Sequence, residues 1–205
     1  MNKLRAGVIG LGRSGYDIHI HTMSLLPDLF EIAAVADPIA DRVREAGEKH
    51  GCAGYADYRE MLDAGNLDFV VNATPSDLHV PVSLDVMDRG FHVLCEKPLA
   101  RKAAEVDRLI EKSRSTGRRL AVYQQSRFAP YFRQVRKVID SGVLGRIVMI
   151  KVAFGGFARR WDWQTLQERN GGNLLNTGPH PLDQALQLFG DAEEPKVFCL
   201  MDRAN

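Results

Sequence analysis

Between residue 4 and about residue 125 the sequence alternates short apolar runs with longer amphipathic stretches, and no other feature narrows the fold as far. A strand buried on both faces of a sheet reads as an unbroken apolar run, and parallel neighbours must be joined by a crossover, usually a helix. The alternation therefore predicts βαβ units and a parallel sheet. The strands are expected over Ala6–Gly10, Ile32–Ala36, Phe69–Ala73, His92–Cys95 and Leu120–Tyr123. Helices are expected over Ile39–Lys49, Ser76–Arg89 and Ala103–Ser115, with a shorter one over Asp57–Leu62. In the third of these, Val106, Leu109 and Ile110 recur at helical spacing and Gly117 supplies the stop.

Beyond residue 125 the pattern changes. Pro130–Ile139 reads as a basic amphipathic helix, Gly145–Phe154 alternates like a half-exposed strand, and a polar, aromatic, glycine-rich stretch leads to a helix over Pro181–Phe189. Lys196–Met201 begins what reads as another strand. These features place a boundary near residue 125. Residues 1–125 form an α/β domain, and 126–205 are the start of an α+β domain with a mixed or antiparallel sheet. Two strands and their helices do not close a sheet, so the chain is expected to be a fragment with an open edge after residue 200.

Charge and cysteine usage exclude several classes. Lys and Arg number 27 against 26 Asp and Glu, so no overall basic field gathers nucleic acid or anionic lipid. The basic pairs Arg118-Arg119 and Arg159-Arg160 are too short for a binding arm and read as solvated faces. Three widely spaced cysteines without a CxxC pair suggest neither a disulfide framework nor a zinc site and fit a reducing cytoplasm. No stretch approaches the ~20 apolar residues of a membrane span.

The first chemical motif is GVIGLGRSG, which carries Gly10, Gly12 and Gly15 as GxGxxG directly after an apolar run and before a helix-compatible segment. Such glycines permit a tight strand-to-helix turn and let backbone N–H groups, with Arg13 and Ser14, approach a diphosphate. The spacing alone is weak, but Asp37 follows in AAVADP, where a dinucleotide site needs an acid for the adenosine ribose. That carboxylate favours NAD. Arg42 lies close enough to reach a 2′-phosphate, which keeps NADP open.

Two further turns fall at the carboxyl ends of expected strands, where open α/β sheets bind ligands. In NATPSDLH, Thr74 and Pro75 would border the cofactor, Ser76 or Asp77 can cap the next helix, and His79 lies one turn in. VLCEKPLA ends an apolar run abruptly in Glu96, Lys97 and Pro98. Later come RRWDWQT, with Trp161 and Trp163, and GGNLLNTGPHPLD, with Asn176, His180 and Asp183. His19 and His21, after the glycine loop, read as surface residues.

Taken in order, GLGRSG with Asp37, TPSDLH, EKP and GGNLLNTGPHPLD resemble the Gfo/Idh/MocA family, the oxidoreductases typified by glucose-fructose oxidoreductase and inositol dehydrogenase. The resemblance covers nearly the whole chain. It implies an N-terminal Rossmann domain binding NAD or NADP, with Glu96 positioning the EKP turn, a cis peptide before Pro98, and Lys97 pointing at substrate beside the nicotinamide. It implies that His180 takes the hydroxyl proton, a task suited to imidazole near neutral pH. Where the family often has aspartate this chain has Asn176, which can orient a hydroxyl but cannot accept its proton. Asp183 either orients His180 or is an ordinary first-turn acid. Arg127, in YQQSRFAPYFRQVRKVI, either reaches substrate or pairs with an acid, and Trp163 either meets a sugar face or packs in the core.

The resemblance thus implies an NAD(P)-dependent dehydrogenase acting on a secondary alcohol of a sugar, polyol or related small molecule. A non-catalytic nicotinamide-binding sensor of the same family is the alternative. A glycoside hydrolase using transient oxidation ranks last, because no acid pair supports it. Family members continue into a large mixed sheet that forms the oligomer interface, which implies a homo-oligomer for a full-length protein.

Overall fold

A computed structural model describes residues 2–156, 159–190 and 194–202. The described residues fall into two compact units, one drawn from 1–124 and 157–179, the other from 125–156 and 180–205. The first contains a six-stranded sheet: β1 Leu4–Ile9, β2 Phe30–Ala36, β3 Ala53–Tyr55, β4 Phe69–Asn72, β5 His92–Glu96 and β6 Leu120–Tyr123. Every ladder is parallel, in the order β3-β2-β1-β4-β5-β6. After β1 the chain builds outward through β2 and β3, then crosses back to place β4 on the other flank of β1. That reversal opens a crevice at the carboxyl ends of β1 and β4, the position where sheets of this kind take ligands.

Alternation along the strands divides the core into two layers. Val8, Val35 and Val71 face one layer, where Leu11, Ile20, Met23 and Ala46 also pack. Ile9, Ala34, Ala36 and Val70 face the other, against Met61, Leu62, Val86, Met87 and Leu109. The covering helices are a π-helical stretch Ser14–Ile20 that runs into α1 (His21–Ser24), then α2 (Ala40–His50), α3 (Tyr58–Ala64), α4 (His79–Asp88) and α5 (Ala103–Thr116). Gly117 ends α5 at φ +66°, the left-handed conformation that the sequence reading assigns it as a stop.

The sequence reading misses β3. Its three residues pair only with Ala34–Ala36 at the sheet edge, too short a run for any apolar period. Gly54 fits there because a Cβ at this position would run into the Val43 side chain of α2. The helix expected over Ser76–Arg89 starts as a 3₁₀ turn, Ser76–Leu78, before α4, and Pro75 at its start makes no side-chain cap. Ser76 and Asp77 therefore do not cap it as expected; Asp77 pairs with Arg169 at 3.1 Å.

The second unit contains α6 (Pro130–Asp140) and most of α8 (Pro179–Phe189), while the short α7 (Asn173–Asn176) belongs to the first. The strands expected over 145–154 and 196–201 do not form a ladder among the described residues. Alternation supplies a face to bury, but a strand also needs a neighbour for its N–H and C=O groups. Val148, Met149, Val197 and Phe198 accordingly stay exposed. Among the described residues no helix is long and apolar enough to cross a membrane.

The two apolar neighbours on α5 give a stability test. Leu109 is fully buried and Ile110 is 39% exposed. Leu109→Ala is expected to cost about 2–5 kcal/mol in urea denaturation and Ile110→Ala less than about 1 kcal/mol.

Candidate functional site

At the end of β1 the chain must turn sharply into the π-helical stretch, and the glycines divide the work. Gly10 adopts φ +88°, and a Cβ there would lie 2.5 Å from the Ala73 carbonyl oxygen at the end of β4. A Cβ on Gly15 would overlap the Gly10 carbonyl oxygen. Gly12 differs, because among the described residues nothing lies within 4 Å of where its Cβ would be. Gly10 and Gly15 are thus demanded by the protein's own packing, whereas Gly12 faces open space. Arg13, at the start of the π-helical stretch, provides no side-chain cap, so among the described residues the first-turn N–H groups are left without a capping side chain. An open glycine before uncapped N–H groups fits the diphosphate of a dinucleotide.

Asp37 follows β2 and is 4% exposed. Its Oδ2 accepts the Leu11 N–H at 2.7 Å, its Oδ1 accepts the Ile39 N–H at 2.9 Å, and the Arg42 Nη1 lies 3.4 Å from Oδ2. The acid placed by spacing to receive a ribose thus also braces the glycine turn. Gly10, Gly12, Arg13, Ser14, Asp37, Thr74, Pro75, His79, Glu96, Lys97, Trp163 and Asn176 all border one cavity of about 380 Å³. Gly15 is buried in the turn and does not border it.

The turn after β4 is built on Asn72, which is fully buried. Its Oδ1 accepts the Thr74 Oγ1–H at 2.7 Å, while its Nδ2 donates to the His79 carbonyl and to Ser83 Oγ, both at 3.0 Å. His79 is likewise buried, with Nδ1 2.7 Å from the Pro98 carbonyl oxygen and Nε2 3.0 Å from that of Thr74. Burial pushes its imidazole pKa down, against the two carbonyls, which push it up. His79 borders the cavity, but its ring nitrogens are used inside the protein, tying the turn after β4 to the turn after β5.

That second turn carries Lys97, followed by a cis peptide to Pro98. Nζ of Lys97 donates to the Asn176 carbonyl oxygen at 3.0 Å and to its Oδ1 at 3.3 Å. Desolvation lowers the lysine pKa below its ordinary value of 10.5; Glu96 opposes the shift, while Arg13 and Arg160 add to it. Because the folded-state value lies below the unfolded one, holding this ammonium costs stability at neutral pH. The cost fades as pH rises from the folded pKa toward 10.5.

Glu96 is 5% exposed and meets a residue that the sequence reading leaves on the surface. His19 is buried, with Nε2 3.0 Å from Glu96 Oε1 and its ring 4.4 Å from that of Tyr123. The signal was present: Gly15, His19 and Met23 recur every four residues and share a buried face. Arg160 is the other omission. It borders the cavity instead of forming a solvated face with Arg159.

The remaining expected residues divide as follows. Trp163 is half-buried at the cavity, while Trp161 is 92% exposed. Arg127 grips Asp183, with Nε 2.9 and 2.8 Å from the two carboxylate oxygens and Nη2 2.6 Å from Oδ1. Of the two readings offered for Arg127, the pairing with an acid is the one present, and the acid is Asp183, offered above as an orienting group for His180. His180 stands on the first turn of α8 in the second unit and lines a hollow of about 360 Å³ with Ser126, Tyr131 and Phe154.

A parallel sheet reversing at a glycine turn, an acid after β2 and a cavity reaching a desolvated lysine define a dinucleotide-binding domain of the oxidoreductase type. Residues 4–124 match the oxidoreductase family Gfo/Idh/MocA, with its NAD-binding Rossmann fold, and residues 132–204 match the Gfo/Idh/MocA C-terminal domain. The chain belongs to this family. It is 34% identical to the rhizopine catabolism protein MocA of Rhizobium meliloti, over 97% of this chain and 60% of that protein. It is 30% identical to myo-inositol 2-dehydrogenase of Thermotoga maritima, over 95% of this chain and 57% of that protein. Among solved structures, an NAD-binding protein from Listeria innocua superposes with a TM-score of 0.79 at 26% identity, over 90% of this chain and 54% of its own. The WlbA dehydrogenase of Bordetella pertussis, solved with NADH and UDP-GlcNAcA, gives 0.66 at 32% identity, over 71% and 42%. The chain spans little more than half the length of these curated relatives.

The glycines can be separated experimentally. Gly12→Ala is expected to leave thermal stability within about 0.5 kcal/mol while weakening NAD⁺ binding, because its methyl group fills only the open space. Gly15→Ala should lower stability as well, since its methyl group meets the Gly10 carbonyl. Thermal melts with NAD⁺ titration of both variants check this.

Proposed function

We propose that this chain is the nicotinamide-binding part of an NAD(P)-dependent oxidoreductase that moves hydride between the cofactor and a secondary alcohol of a sugar, polyol or related small molecule. The observation that carries this reading is Lys97, desolvated and held on Asn176, at a cavity that also reaches the glycine turn and Asp37. The family membership and the dehydrogenase named among its relatives support it.

When bound, the nicotinamide supplies a hydride acceptor at C4. The protein's task is to hold the carbinol and manage its proton. Backbone N–H groups at Gly12–Gly15 and the Arg13 side chain would hold the diphosphate, and Asp37 would receive the adenosine ribose. Its carboxylate favours NAD, with Arg42 beside it as the group that would accept the 2′-phosphate of NADP. The Lys97 ammonium binds the substrate oxygen and stabilises the negative charge that develops there. A lowered pKa also lets this amine share in proton transfer. His180 is the leading acceptor of the hydroxyl proton as hydride departs from the adjacent carbon, leaving a ketone. Asn176 fixes Lys97 and offers its amide to a neighbouring hydroxyl.

The test is NADH formation on a panel of polyols and sugars. Lys97→Ala and His180→Ala are each expected to lower kcat about 10²- to 10⁴-fold, with NAD⁺ affinity within a few-fold of the parent. NAD⁺ binding without turnover on the whole panel would contradict catalysis and favour the sensor.

A further inference from the structure

Glu96 and Lys97 are neighbours in the chain and both border the same cavity, yet they do not pair. Among the described residues no ion pair joins them: Nζ of Lys97 lies on the two oxygens of Asn176, and the Glu96 carboxylate lies on His19. A carboxylate and an ammonium that have both left water attract each other strongly. Alternation at the end of β5 starts the two side chains toward opposite faces, but both reach the cavity. A second restraint keeps them apart.

That restraint lies behind the cavity. His19 Nε2 stands 3.0 Å from Oε1 of Glu96, and the Lys97 backbone N–H donates to Oε2 at 3.2 Å, so each oxygen has a donor and neither needs the ammonium. His19 is 4% exposed and does not itself border the cavity. The Tyr123 ring packs against its imidazole edge-on, with burial and the Glu96 charge pushing the Tyr123 hydroxyl above its ordinary 10.0. Cys95 and His79 also feel the Glu96 charge. Neither takes the place of His19, because Cys95 is turned to Ser83 and both ring nitrogens of His79 lie on carbonyl oxygens. The π-helical stretch Ser14–Ile20 carries His19 to this position, in a rare geometry that recurs at functional sites.

Resting on the oxidoreductase reading above, we propose that His19 is a positioning residue for Lys97: by donating its Nε2–H to Glu96 it holds the carboxylate away from the ammonium, which stays on Asn176 and open to a substrate oxygen. Without that donor a buried carboxylate oxygen is left unsatisfied, and the ammonium on the next residue is the charged donor available to it. Glu96 would then neutralise the group the reaction needs. His19 thus acts on the chemistry through Glu96.

A double-mutant cycle on the full chain tests this, reading the titration midpoint of the Lys97 amine by NMR of ¹³C-methylated lysines alongside kcat for NADH formation. His19→Leu is expected to raise the midpoint by about 1 pH unit, as the freed carboxylate pairs with the amine, and to lower kcat about 10²-fold with NAD⁺ affinity within about threefold. His19→Gln, which supplies an amide N–H in place of the imidazole's, should return both toward the parent values. Glu96→Gln should lower the midpoint, because the Glu96 charge opposes the depression of the Lys97 pKa. In that background His19→Leu should leave the midpoint where it is. A purely structural His19 would lower the melting temperature of His19→Leu without moving the Lys97 midpoint, and that result overturns the proposal. So does a shift of equal size with and without the Glu96 carboxylate, or no recovery in His19→Gln. Should His19→Leu fail to fold, His19→Asn, whose shorter amide falls short of Glu96, takes its place in the cycle. If the parent chain oxidises no polyol or sugar, the oxidoreductase reading falls separately, and the midpoints still decide what His19 does.

Discussion

A lysine ammonium drawn out of water beside a ligand cavity is the constraint on which the rest of the site depends. Moving such a charge into a poorly solvated place is unfavourable unless acceptors wait for it, and the two oxygens of Asn176 are the ones provided. Keeping Nζ there requires that the turn after β5 stay fixed. His79 reaches from α4 to the Pro98 carbonyl, His19 reaches from the π-helical stretch to Glu96, and Glu96 in turn accepts the Lys97 backbone N–H at 3.2 Å. Two buried histidines thus restrain Lys97 without touching its amine.

This arrangement also connects the ends of the cavity. His19 stands in the helical stretch that begins at the glycine turn, and Asp37 braces the same turn through Leu11. The groups suited to a diphosphate and the group suited to a reacting oxygen therefore share one hydrogen-bonded frame across β1, β2, β4 and β5. Asn72 extends it to the turn between them, where its side chain satisfies Thr74, Ser83 and the His79 carbonyl together. Such a frame fixes geometry before a ligand arrives, which is what positional catalysis requires.

Much of this was legible from sequence because the relevant physics is local. Apolar runs separated by helical periods disclose five of six strands, glycine spacing discloses the turn, and EKP discloses charge at a strand exit. The cis peptide before Pro98 is present, as the family resemblance implies. What escaped was set by tertiary contact. β3 is too short to carry a period, and Arg160 looks like half of a solvated basic pair until the fold turns it inward. That Arg127 pairs with an acid was one of two readings, but the identity of the acid, Asp183, 56 residues away, is something no spacing reveals. The alternation over 145–154 is genuine, but a ladder requires a neighbouring strand as well as a pattern.

The most direct test of the account is the titration of the Lys97 amine itself, followed by NMR in the folded chain with ¹³C-methylated lysines and assigned by its loss in Lys97→Arg. The account predicts a midpoint below the ordinary 10.5, because burial and the neighbouring Arg13 and Arg160 outweigh Glu96. A midpoint at or above that value would mean a solvated or fully ion-paired lysine, and would contradict the claim that the fold holds a desolvated ammonium for a substrate oxygen.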